Sequence, residues 1–250
     1  MLSSTRYFAY DSFARIINET WGPDVSESLF PDIEQLLLNH LPPSAQILDI
    51  CCGAGHLANK LLQEGYQVTG IDGSERLIQY AKNNAPSAKF ILDDVRNFKL
   101  PSSFHGVIST DYGLNHVIDI AELTKVFKNI YTALLPNGLF MFDLSLERRY
   151  QSDWNNLMLG DIKDEYAWAL RRSYNLAEKI GTIDITIFEL IEQNWQRHDI
   201  TWLVKGYSQT QVLSALKRAG FQKIECYNKE DVSTEIKDAA TAYFICTKLN

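Results

Sequence analysis

The residues able to do chemistry gather around one glycine-rich turn. Asp49-Ile50-Cys51-Cys52-Gly53-Ala54-Gly55-His56-Leu57-Ala58 fits a G-x-G-x-x-A fingerprint, in which Gly53, Ala54 and Gly55 bring bare backbone up to a nucleoside-type ligand. Asp72, followed by Gly73, stands where a carboxylate takes both ribose hydroxyls. Asp94 sits in a D-x-R arrangement with Arg96, placed to accept from an adenine amine while the Val95 N–H meets the ring. The fingerprint alone also admits a dinucleotide, whose pyrophosphate would rest on the helix N-terminus. Asp49 argues against that, because its charge would face the diphosphate. An acid there suits a cation, and S-adenosylmethionine, which carries an ammonium and a sulfonium and no phosphate, meets it.

These residues need a strand before the turn and a helix after it. From Ser44 onward, buried apolar runs alternate with amphipathic helical stretches, predicting an α/β fold, a Rossmann-like doubly wound and mostly parallel sheet. The expected strands are 46–51, 67–72, 89–93, 105–110, 139–144, 221–227 and 241–247. Ser74 is a helix cap, and Asp119 with Glu122 and Ser208 with Gln211 read as capping boxes. Between 147 and 206 the period changes to alternation: Ile183, Ile185 and Ile187 in one run, His198, Ile200, Trp202 and Val204 in another. That predicts an inserted three-stranded antiparallel element able to roof the site. The expected organisation is a helical cover over 1–43, a core over 44–146 and 207–250, and the insert over 147–206.

With 250 residues, 46% of them hydrophobic, the chain has enough material for one large core, which excludes disorder and coiled coil. A net charge of -7 repels phosphate backbones and anionic membranes, so neither nucleic acid nor membrane is expected as a partner. No apolar leader or membrane span is visible, and the expected location is the cytoplasm. Cys51, Cys52, Cys226 and Cys246 form no CxxC pair and have no His at zinc-ligand spacing, so reduced thiols and no metal are expected.

The chain resembles the class I S-adenosylmethionine-dependent methyltransferases, in their small-molecule group. The matching pieces are ILDICCGAG at 47–55, VTGIDGSERLIQYAK at 68–82, LDDVRNF at 92–98, STDYGLNHV at 109–117, LLPNGLFMFDLS at 134–145 and YSQTQVLSALKRAGF at 207–221. The resemblance implies a seven-stranded sheet with an antiparallel last strand. It implies cofactor contacts from Asp49, Gly53, Gly55, Asp72 and Asp94, with Thr110 contributing backbone near the sulfonium. The lead-in Tyr10-Asp11-Ser12-Phe13-Ala14 resembles a segment whose aromatic residue folds over the cofactor, which makes Tyr10 and Trp21 candidates beside their ordinary reading as core.

After the fourth strand, Ser109-Thr110-Asp111-Tyr112 lacks the prolines of enzymes that methylate amino groups of DNA or glutamine, and Asp143-Leu144 lacks the Asp-Asn pair of magnesium-dependent catechol enzymes. A small-molecule acceptor methylated at N or O is the reading, in a monomer or homodimer. Transfer from a sulfonium is an in-line displacement needing alignment and dryness rather than a protein nucleophile. Tyr112, His116 and, from the insert, His198 are the candidates to orient or deprotonate the acceptor, each with capping or packing as the ordinary alternative. Two other functions fit the same residues: a nicotinamide-dependent oxidoreductase, and a cofactor-binding subunit without catalysis.

Overall fold

In the computed structural model, which describes residues 7–151, 154, 155, 157–235 and 239–249, the apolar runs become strands and the caps start helices where their chemistry dictates. Helices α1 (Phe8–Ile16) and α2 (Gly22–Leu36), joined by a π-helical turn, precede the sheet. Then come β1 (Gln46–Ile50), α3 (His56–Gln63), β2 (Gln67–Asp72), α4 (Glu75–Asn84), β3 (Lys89–Leu92), β4 (Phe104–Ser109), α5 (Ile120–Ala133) and β5 (Leu134–Ser145). An insert follows, of α6 (Glu147–Gln151), β6 (Met158–Ile162), β7 (Tyr166–Asn175), β8 (Ile180–Ile191) and β9 (Asn194–Lys205). The chain returns through α7 (Gln209–Ala219), β10 (Lys223–Asn228), β11 (Asp231–Glu235) and β12 (Thr241–Thr247).

The main sheet runs β11-β10-β12-β5-β4-β1-β2-β3. Strands β1 to β5 pair in parallel, and β12 lies antiparallel between β5 and β10. Among the described residues the sheet therefore has eight strands and not seven. The added β11 folds back on β10; its sequence, Asp-Val-Ser-Thr-Glu, holds one apolar residue and shows no alternation. Ser74 caps α4 by accepting from the Leu77 N–H at 3.1 Å, and Ser208 with Gln211 closes the capping box of α7. At α5 only half the expected box forms: Asp119 accepts from Ala121 and Glu122, while the Glu122 side chain turns to Arg96 instead.

The insert has four antiparallel strands in the order β6-β7-β8-β9, one more than alternation predicted. Strand β6 is mostly exposed on both faces and so carried no hydrophobic period. On the other three strands one face is dry: Trp168, Leu170, Ile183, Ile185, Ile187, Ile200, Trp202 and Val204 are all buried. Helix α1 lies against that face, with Phe13 edge-on to Trp168 at 5.7 Å and to Trp202 at 5.2 Å. Each such large side chain contributes about 1.5–3 kcal/mol by leaving water. The opposite side of α1 is tied to the main core, since the Asp11 carboxylate accepts from the Ser74 hydroxyl at 2.5 Å and the Arg76 N–H at 3.2 Å.

Asn115 joins insert and core directly. Its amide donates to the carbonyls of Ser145 (2.9 Å) and Lys205 (2.7 Å), and its oxygen accepts from the Ser145 N–H at 3.0 Å. The residue is buried, so truncation strands three backbone groups away from water. Asn115→Ala is expected to lower unfolding free energy by about 2–4 kcal/mol in urea titrations. A loss below about 0.5 kcal/mol, the level of an ordinary surface change, would show that the junction does not depend on it.

Candidate active site

The carboxyl ends of β1, β2, β4 and β5 and the inner face of the insert enclose a cavity of about 570 Å³. A ligand site outside the strand ends is the expected position for a doubly wound sheet. After β1 the chain reverses through Cys51 (φ +59°), Gly53 (φ +53°) and Gly55 (φ +78°). Gly53 faces open space, with nothing within 4 Å of where a Cβ would lie. Its N–H donates to Asp72 Oδ2 at 3.0 Å, and the Ser74 N–H donates to Oδ1 at 2.9 Å. Asp72 is thus locked in the cavity wall with acceptor capacity left on each oxygen. Gly55 does something other than predicted. A Cβ there would stand 2.9 Å from Ala81, so this glycine permits α3 to approach α4 and does not line the cavity.

Asp49 is buried behind the turn rather than in the wall, and its Oδ2 has no hydrogen-bond partner. Burial first, and then repulsion from Asp72, raises its pKa from the usual carboxylate value of 3.8 to about 8. No protein cation pairs with Asp49 or Asp72 among the described residues. An orphaned carboxyl oxygen beside a second acid, behind a bare glycine turn, fits a cationic cofactor.

Asp94 is the second departure from expectation. Its carboxylate takes the Arg96 Nε at 2.7 Å, Nη2 at 2.6 Å and backbone N–H at 2.9 Å, and burial leaves it out of the wall. Burial pushes its pKa up, yet Arg96 outweighs that and holds it below the ordinary value. Arg96 also reaches Glu122 at 3.2 Å and the Tyr7 oxygen at 3.4 Å. The cavity surface at this turn is therefore Val95 and Arg96. Thr110 and Gly73 do line the cavity, as do Ala54, Tyr10 and Trp21.

Past β4, Asp111 and Tyr112 both hold left-handed backbone, φ +55° and +58°. For two consecutive non-glycine residues this is costly, and it turns both side chains' stretch of chain into the cavity wall. The Tyr112 N–H is held by Asp143 Oδ1 at 2.8 Å, and Lys229, ion-paired with the other Asp143 oxygen, stands 4.1 Å over the Tyr112 ring. His116 lies beside them, its Nδ1 2.8 Å from the Tyr10 hydroxyl. Tyr10 in turn stacks on Trp202 at 5.1 Å. Desolvation lowers the His116 pKa to about 4, so the ring is neutral at physiological pH. His56 lines the other side, where its Nε2 meets the Asn18 carbonyl at 3.0 Å.

Residues 47–138 match the family model described as a methyltransferase domain. Over 85% of its length the chain is 24% identical to YqeM of Bacillus subtilis, named as a methyltransferase, 86% of which is covered. An S-adenosylmethionine-dependent methyltransferase from Clostridium acetobutylicum superposes with a TM-score of 0.78 at 19% identity, covering 96% of this chain and 99% of that one. The sugar N-methyltransferase KedS8 from a Streptoalloteichus species gives 0.77 at 15% identity, covering 96% and 93%. Residues 47–138 are a methyltransferase domain, and the chain carries it in the fold of the S-adenosylmethionine-dependent methyltransferases. The oxidoreductase reading of its fingerprint is set aside with that, as is a purely non-catalytic one.

Not every candidate base of the methyltransferase reaches its cavity. His198 pairs across from Ile187 on β9 and is half-buried outside the lining, whereas Thr201 to Val204 of the same strand form the wall. At about 3.3 Å per residue it lies roughly 13 Å along the strand from Trp202. Alternation identified its face but not its depth. Several wall residues went unremarked in the sequence, among them Tyr7, Tyr150, Arg149 and Arg172, while Asp111 and Arg96 stood only inside quoted motifs. In the fold the Tyr7 ring fills the space a side chain at Gly73 would need.

Asp49 gives the apo methyltransferase a pH signature. A carboxyl whose pKa is raised by folding adds stability that is full at low pH and is lost as pH climbs through about 8, by up to ~1.4 kcal/mol per unit. His116 acts oppositely, adding stability as pH rises from about 4 to 6.5. Comparing wild type with Asp49→Asn from pH 5 to 9 isolates the first effect. The variant, nearly isosteric with the protonated acid, is expected to fold, to gain on wild type as pH rises, and to bind adenosylhomocysteine more weakly in calorimetry. A pH-independent difference would mean that Asp49 titrates as an ordinary carboxylate.

Proposed function

We propose that this methyltransferase moves a methyl group to a nitrogen of a small-molecule acceptor. The observation that carries the reading is the Tyr10–His116 pair: a phenol hydroxyl 2.8 Å from an imidazole held neutral, both in the cavity wall. With Nδ1–H donating to the Tyr10 oxygen, the other ring nitrogen keeps a lone pair to take an acceptor N–H, and the phenol O–H remains available as a donor. Together they hold an amine so that its own lone pair is free. The enclosed volume supports a small acceptor, since about 300–1,000 Å³ is the range of small-molecule sites. KedS8, the structural neighbour named a sugar N-methyltransferase, points the same way.

Bound S-adenosylmethionine supplies an activated methyl group on a sulfonium. Asp72 is assigned to the ribose, Gly53 and Ala54 to the backbone cradle, Asp49 to compensation of positive charge from behind the turn, and Val95 to the base. Tyr10, Trp21, Trp202 and His116 exclude water, and Tyr112 and His116 orient the acceptor. Alignment is then the main catalytic factor, and no metal is invoked.

Calorimetry with adenosylhomocysteine tests the cofactor assignment: binding is expected for wild type and lost in Asp72→Ala. Mass spectrometry after incubation with S-adenosylmethionine and a panel of amino sugars and matched alcohols tests the acceptor. Methylation of amines but not alcohols, with kcat reduced about a hundredfold in His116→Ala, is expected. Transfer to the alcohols alone would replace nitrogen by oxygen.

A further inference from the structure

Beyond the cofactor contacts and the Tyr10–His116 pair, the cavity contains two guanidinium groups with no role in either. Arg149 comes from α6 and Arg172 from β7, and both line the wall. They are near enough for the Arg149 charge to depress the Arg172 pKa, after desolvation, the larger cause. Arg172 is half-buried, its guanidinium 4.5 Å over the Trp154 ring, and its Nε is shielded from water with no hydrogen-bond partner. It forms no salt bridge among the described residues. The carboxyl acting on it from the cavity is Asp111, an exposed residue that also lies in the field of Lys229.

A guanidinium with a buried donor left over is uncommon, because its fork is built to be filled by an oxyanion. By position the two guanidinium groups lie away from the ribose end of the cofactor. Asp72 ends β2, whereas Arg149 follows β5, and in the order β5-β4-β1-β2 three strand spacings, about 14 Å, separate those ends. We propose that the acceptor bears an anionic group, a carboxylate or a phosphate, which Arg172 and Arg149 receive while the atom to be methylated lies toward His116. The proposal rests on the small-molecule reading above and gives its acceptor a charge. Trp154 and Tyr150, which line the same part of the cavity, shield the Arg172 fork from water.

The test needs no turnover. Malonate and inorganic phosphate, each at constant ionic strength, are titrated into the adenosylhomocysteine-bound protein, and the thermal midpoint and calorimetric heat are read. Saturable binding of at least one probe is expected, with malonate alone marking a carboxylate and phosphate alone marking a phosphate. Arg172→Gln and Arg149→Gln are each expected to weaken it about ten- to a hundredfold while adenosylhomocysteine still binds, which shows that they fold. Arg197→Gln, an exposed residue of the insert paired with Asp199, is expected to change nothing. Normal adenosylhomocysteine binding with no saturable anion effect, or equal anion binding in Arg172→Gln and wild type, overturns the proposal. Failure to methylate any amine would sink the nitrogen reading and leave the anion titration as it was measured.

Discussion

Two carboxyl groups, Asp49 buried and Asp72 half-buried, stand at the ends of adjacent strands, and among the described residues no protein cation pairs with either. Asp49 sits opposite Gly70 in the β1–β2 register, and Asp72 closes β2 two residues on. Asp72 is relieved by two backbone donors, one of them the Gly53 N–H, and that bond draws the glycine turn against the end of β2. Asp49 has an oxygen with nothing to accept from, and neutralises itself instead. The left-handed turn, the start of α3 and its close packing on α4 at Gly55 lie beside this pair. A cationic nucleoside answers the imbalance; a diphosphate would deepen it.

Helix α1 turns that constraint into a chamber. One side of it anchors to the start of α4 through Asp11, and the other packs Tyr10 and Phe13 into the tryptophan face of the insert. The roof is therefore held over the strand ends by a helix far from it in sequence, with Asn115 as a second fastening at the ends of β5 and β9. Both fastenings sit next to residues of the candidate site. Tyr10 is one turn of helix from Phe13, and His116 follows Asn115 directly. The residues that fasten the roof are thus neighbours of the Tyr10–His116 pair.

What the sequence made legible was whatever local periodicity and backbone chemistry decide. Seven strands, the caps at Ser74 and Ser208 and the glycine turn are of this kind, because buried runs, an oxygen before a helix and a missing Cβ act within a few residues. Strand β6 escaped since an exposed edge strand carries no hydrophobic pattern, and β11 since its five residues include one apolar side chain. Choices among tertiary partners were also hidden. Asp94 prefers Arg96 to the cavity, Glu122 prefers Arg96 to its capping box, and Gly55 makes room for Ala81 and not for a ligand. Arg149 and Arg172 sit 23 residues apart as ordinary charges in the chain, and only the fold brings them to one wall.

The charged groups of the cavity are spread along the sheet. Carboxyl groups lie at the ends of β1 and β2 with Arg96 in the turn after β3, Arg149 and Arg172 lie beyond β5 with Asp111 acting on Arg172, and the Tyr10–His116–Tyr112 cluster is supplied by α1 and the stretch after β4, the strand between them. Within walls of tryptophan and tyrosine such a field is weakly screened, so it orients whatever enters. A cationic cofactor drawn to one end and an anionic acceptor drawn to the other leave their reacting atoms to meet over the end of β4. That is the position at which a displacement needs two partners in line, and it is where the backbone bends through two left-handed residues to bring Tyr112 and His116 into the wall.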